Sequence, residues 1–325
     1  MSRGATPSWI VAAAQAAPVF LDQTATLEKA CEWIVDAGAA GARLVVFPAA
    51  FIPAYPAWLV HAPAADAALR RELRAMLMAQ SVRVPSAVTR RLGRMARRAR
   101  TYVIIGVSER EGDAADAPLY HTLLTFDTQG ELLGAHRQGL LAPWEAALWQ
   151  PGTGDTLPVF DTPLGKLAGL PGEERYRPSA RQALYAWGVQ LFAVAGWAGD
   201  DLWLASLRYI AREGATVVLG CSMPLRRADI PARYASGPAP EAADEWLSAG
   251  DSVIVGPDGG LLAGPLRAQE GLLLAEIDLP HSHTVPRPPE RSAQADVHLE
   301  VSEGTRSRFT AAGGDGRVVS QTRGL

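Results

Sequence analysis

The chain has 325 residues, 48% of them hydrophobic, and a net charge of −3. This is core material for one large domain or two smaller ones, and the near-neutral charge excludes nucleic acid or an anionic membrane as a default partner. Two cysteines exclude a disulfide framework.

The N-terminal WIVAAAQAAPVF is apolar but preceded only by Arg3 and interrupted by Gln15 and Pro18. It reads as a buried strand over 8–17 rather than a signal peptide. Residues 24–41 carry helical periodicity up to Gly41, with Cys31 in step with Leu27 and Ile34 as a core thiol. RLVVFP (43–48) is a short strand stopped by Pro48. AADAALRRELRAMLMAQ and PSAVTRRLGRMARRAR read as amphipathic helices, and TYVIIGVSER (101–110) as a strand. Two strands about a Gln-Gly turn fill 119–137, and a second hairpin fills 158–170. A helix (178–188), a strand (189–197), a helix over DLWLASLRYIAREG and a strand (216–222) follow. A third hairpin spans 252–266, and LLLAEIDL (272–279) is the last clear strand.

Strands that alternate with helices, mixed with hairpins, predict two sheets packed together with helices outside. No linker interrupts 1–279, and residues 231–244 form a Pro/Ala-rich surface loop. The tail 280–325, rich in Pro, Ser, Gly and Arg, is expected to be extended, partly disordered or interface-forming. No other segment is long and apolar enough to cross a bilayer, so a soluble, cytoplasmic protein is expected.

WIVAAAQAAPVFLD, RLVVFP, FIPAYPAW, LYHTLLTFDTQGELLGAHR, WQPGTGD, GLPGEERYRPSARQALYAWG, AREGATVVLG and PDGGLLAGPL, in this order over residues 8–279, resemble the nitrilase superfamily of carbon–nitrogen hydrolases. The resemblance implies an α/β fold, the four-layer αββα sandwich, assembled as homodimers or larger homo-oligomers. It also implies a Glu base, a Lys that stabilises developing negative charge and a Cys nucleophile. On this sequence the three positions are Ala49 in Phe47-Pro48-Ala49, Gln138 in His136-Arg137-Gln138, and Gly172 in the strand-to-helix turn GLPGEE. The family's accessory Glu falls on Glu145, and the Glu closing the turn on Glu174.

Gly172 cannot form a covalent intermediate, Ala49 cannot take a proton, and Gln138 carries no charge. Losing members of such a unit costs several orders of magnitude in rate, so ordinary nitrilase or amidase chemistry is not expected. The leading reading is a non-hydrolytic homologue that binds a small amide, nitrile or amine, or partners an active nitrilase relative. An alternative keeps chemistry by another route. Glu145, Glu173 and Glu174 can crowd the vacated centre and run acid–base steps, or Cys221, ending TVVLGCS, can act as a relocated nucleophile. Arg137, Arg175 or Arg177 can replace the missing charge, since Lys29 and Lys166 are poorly placed, and Glu173 can instead face solvent or pair with Arg175. Tyr55, Trp58, Trp144, Trp149 and Trp197 are expected to line or rim the pocket or to pack its walls. His281, His283 and His298 lack a third ligand at metal spacing, and GPDGG is a hairpin turn rather than a phosphate loop. No metal or cofactor is expected.

Overall fold

The computed structural model describes residues 8–57, 67–114, 116–153, 157–197, 201–234 and 246–278. All lie in the compact unit Met1–Ser282. Trp58, the histidines 281, 283 and 298, the tail and most of the 231–244 loop fall outside the described residues.

The first sheet runs β13(Gly271–Asp278)-β1(Ser8–Gln15)-β2(Ala42–Val46)-β3(Tyr102–Arg110)-β4(Leu119–Phe126)-β5(Leu132–Arg137). The second runs β10(Pro224–Arg226)-β11(Trp246–Val255)-β9(Val217–Cys221)-β8(Leu191–Ala195)-β7(Gly165–Pro171)-β6(Val159–Thr162), with β12(Leu261–Arg267) paired to β11. Strands β1, β2 and β3 are parallel neighbours, as are β7, β8 and β9, while the hairpins and β13 add antiparallel edges. This is the mixed pattern expected where helical crossovers and hairpins share one chain.

The helices cover the outer faces. Helix α1(Gln23–Ala39) packs on β2 and against α3(Ala87–Ala99), where Gly38 closes on Ala99. Helix α2(Ala67–Gln80) precedes α3, and its end is tied to the start of α1 by Gln23–Gln80 hydrogen bonds. On the other side, α5(Asp201–Gly214) packs on β9 and β11 beside α4(Pro178–Ala186).

Strand periodicity explains the layers. On β8, Leu191, Ala193 and Ala195 enter the core between the sheets, whereas Phe192 and Val194 join Trp203, Leu207 and Ile210 beneath the helices. A strand buried on both faces reads as a continuous apolar run, and LFAVA is one. Gly169 on β7 lets the sheets close, since a Cβ there would lie 2.6 Å from Leu123 of β4.

Two features were missed in the sequence. β11 starts at Trp246, not 252, and β10 pairs with it. WLSAGD lacks the apolar run of a core strand, and Gly250 and Asp251 at φ 89 and 66 shift its register.

Candidate functional site

Gly172 and Gln138 meet at the ends of β7 and β5, and Ala49, just past β2, is linked to them through the Ala50 N–H and His121. β7 ends at Pro171, and the chain turns into a one-turn 3-10 helix, Gly172–Tyr176. Gly172 sits at φ 50, a conformation that side chains adopt only under strain. A Cβ placed there would meet the Gln138 carboxamide, 3.0 Å from Oε1 and 3.2 Å from Nε2. The glutamine therefore fills the space before the turn. Ala49 is fully buried, its N–H donating to the Gly196 carbonyl at 2.9 Å.

Gln138 is fixed on every side. Its Nε2 donates to the Leu140 carbonyl at 2.5 Å and to Glu145 Oε2 at 3.1 Å. Its Oε1 lies 2.5 Å from His121 Nδ1. A carboxamide oxygen only accepts, so His121 carries its proton on Nδ1. The opposite nitrogen, Nε2, accepts the Ala50 N–H at 3.0 Å, which is consistent with a neutral ring. Burial pushes the His121 pKa down to about 4, and nearby His136 adds to the fall.

Glu145 continues the network, its Oε1 accepting from the Tyr55 hydroxyl at 2.9 Å and its Oε2 from the Ala142 N–H at 2.8 Å. Burial pushes its carboxyl above the ordinary range, and the charge of half-buried Glu173 adds to the rise. The same two acids, after burial, hold the Tyr55 phenol well above its usual value. The charge of Glu173 thus acts on both Glu145 and Tyr55. Glu174 is held by His136, its Oε2 lying 2.7 Å from His136 Nε2 with both side chains buried.

The aromatic wall is tight. Tyr55 stacks on Trp197 at 4.9 Å, and Trp144 meets Tyr55 edge-on at 5.6 Å. Trp149 stacks on His121 at 5.0 Å and donates to Ser108. A small space lined by Tyr55 with Pro18, Phe20, Ala57 and Ile230 among others holds about 10 Å³, room for a single water.

The alternative candidates lie elsewhere. The side chain of Cys221 points into the core between the sheets, its Sγ donating to the Ala14 carbonyl at 3.3 Å, and burial pushes the thiol far up. A reactive thiolate needs the opposite environment. Arg137 is bound to Glu109 and Glu111 and lies 3.8 Å over the Tyr120 ring. Arg175 does not pair with Glu173. It donates to the Gly172 carbonyl at 2.7 Å and lies over the rings of Tyr176 and Trp203. Arg177 is exposed, and Lys29 and Lys166 pair with Glu270 and Asp161. His121, missed in the sequence, is inward on β4. Its signal is the polar residue inside LYHTLLTF, a strand buried along most of its length. Among the described residues no group of three or more His, Cys, Asp or Glu could hold a metal, and no helix is long and apolar enough to cross a membrane.

The family model for carbon–nitrogen hydrolases matches residues 10–287. The bifunctional nitrilase/nitrile hydratase NIT4B of Nicotiana tabacum is 38% identical over 280 residues, spanning 84% of this chain and 79% of the relative. Nitrilase 2 of Arabidopsis thaliana is 36% identical over 289 residues, spanning 85% and 83%. An amidase structure from Nesterenkonia sp. shares the fold at a TM-score of 0.62 and 23% identity, over 85% of this chain and 94% of that one.

Proposed function

Because the chain belongs to the carbon–nitrogen hydrolase family, we propose that it is a member that has given up thiol hydrolysis and acts as a ligand-binding or partner protein. The observation that carries this reading is Gln138, whose neutral carboxamide fills the space before Gly172 and is held by His121, Leu140 and Glu145. No thiol or ammonium among the described residues faces that space. The second reading, acid–base chemistry without a covalent step, draws support from the raised carboxyl of Glu145 and the adjacent charge of Glu173. Glu174, the other acid of this reading, is hydrogen-bonded to His136.

The partner of first choice is a second copy of the chain. Trp187, Leu202 and Tyr209 are 60%, 70% and 60% exposed at the end of α4 and along α5, and Leu202 and Tyr209 are seven residues apart on one helical face. An active nitrilase relative is the other candidate. Two free, buried cysteines suit a reducing cytoplasm.

The test is intact-mass spectrometry of the native protein after incubation with an electrophilic nitrile. This reading predicts an unmodified mass. An adduct mapped to Cys221 would overturn it in favour of a relocated nucleophile.

A further inference from the structure

The outer helix layer carries charge that the central site does not use. Residues 70–100 contain ten arginines, no lysine and a single acid, Glu72, a local charge of +9 that leaves −12 for the rest of the chain. Arg83 is paired with Asp113 and Arg91 with Glu28. Arg90, Arg94 and Arg97 of α3 are exposed and form no ion pair with a described residue. They stand at i, i+4 and i+7, one stripe of the helix, about 6 and 4.5 Å apart along its axis. Like charges at this spacing repel, so the stripe costs the free helix stability.

The stripe lines one side of a groove of about 330 Å³, faced by the β4–β5 turn with Gln129, Gly130 and Glu131. At its floor the backbones of Gly93 and Gly130 touch, leaving no room for a Cβ on either. The volume suits a small ligand. Three guanidinium forks, each able to bond an oxyanion bidentately, outweigh the one carboxylate, Glu131. A monoanion would leave most of that charge unanswered, whereas a chain of phosphoryl groups answers it.

We propose that this groove binds a compact polyphosphate, inorganic or nucleoside-borne. The geometry favours it over nucleic acid, because the stripe is only about 10 Å long, whereas duplex binding rests on about 6–10 phosphate contacts. The net charge of −12 on the rest of the chain also disfavours an extended polyanion. The groove lies at the turn of the β4–β5 hairpin, away from His121 and Gln138 at its other end, so the proposal does not depend on what the central site does.

Calorimetric titration of the full chain with sodium tripolyphosphate and, separately, with a nucleoside triphosphate tests it. Saturable one-to-one binding that weakens with salt is expected. Arg94→Gln should weaken it about tenfold, and the triple change Arg90→Gln, Arg94→Gln, Arg97→Gln at least about a hundredfold. Gln keeps helix propensity, which circular dichroism checks, and Arg98→Gln, outside the groove, should leave binding unchanged. Tighter binding of the nucleotide assigns a base contact, and equal binding assigns the phosphate chain alone. No binding of either ligand at millimolar concentration, undiminished binding by the folded Arg94→Gln variant, or tighter binding of a short duplex DNA or polyglutamate would overturn the proposal.

Discussion

Gln138 shows how one side chain can close a site. It joins His121 to Glu145, and Glu145 passes the network to Tyr55. Gln138→Leu should cost about 1–3 kcal/mol for each buried partner left unpaired, read as a lower urea midpoint at unchanged slope. His121 sets a pH dependence of known sign. Its folded pKa of about 4 lies below the usual 6.5, so the fold favours the neutral ring. The contribution is fully present above pH 6.5 and lost as pH falls towards 4, at up to about 1.4 kcal/mol per unit. The raised carboxyl of Glu145 acts in the other direction, stabilising on protonation. Urea unfolding of wild type and His121→Asn across this range should therefore differ in slope, with the variant gaining less stability as pH rises from 4 to 6.5. Parallel profiles would remove His121 from the account. At this scale Ala49, Gln138 and Gly172 stood out in the sequence only through the resemblance to the family, not through their own chemistry. The sequence was opaque at His121 and in the choice of Glu174 for His136, because side-chain partners across two sheets leave no mark in spacing.

Elements were legible wherever periodicity was strong. Helix α3 combines an apolar face of Val88, Leu92 and Ala96 with an arginine face, and it begins at Ser86, whose side chain accepts from the Thr89 N–H. The Thr89 hydroxyl accepts in return from the Ser86 N–H, so the start is a reciprocal capping box. Ser86→Ala should cost about 1 kcal/mol, visible as a lower thermal midpoint, and Ser86→Asp should largely restore it. The start of β11 was not legible because Gly250 and Asp251 depart from extended geometry within it. Sheet pairing, not local pattern, keeps that segment a strand: Trp246–Ala249 pair with β10 and Gly250 with β12, before Val253–Val255 pair with β9.

For the whole molecule, the αββα architecture followed from the mixture of crossovers and hairpins together with the family resemblance. The fold positions an enclosed, hydrogen-bonded centre at strand ends and leaves apolar side chains on α5. Leu202→Asp with Tyr209→Asp should shift native mass from oligomer to monomer while leaving circular dichroism unchanged. A wild-type chain that is monomeric at micromolar concentration would remove that face from the account. The central claim is that a family fold has lost thiol hydrolysis, and ammonia release from a panel of aliphatic and aromatic nitriles and amides tests it most directly. The account predicts release at the level of buffer alone. Turnover approaching the roughly 10 per second of a typical enzyme, in protein free of contaminating hydrolase, would contradict it.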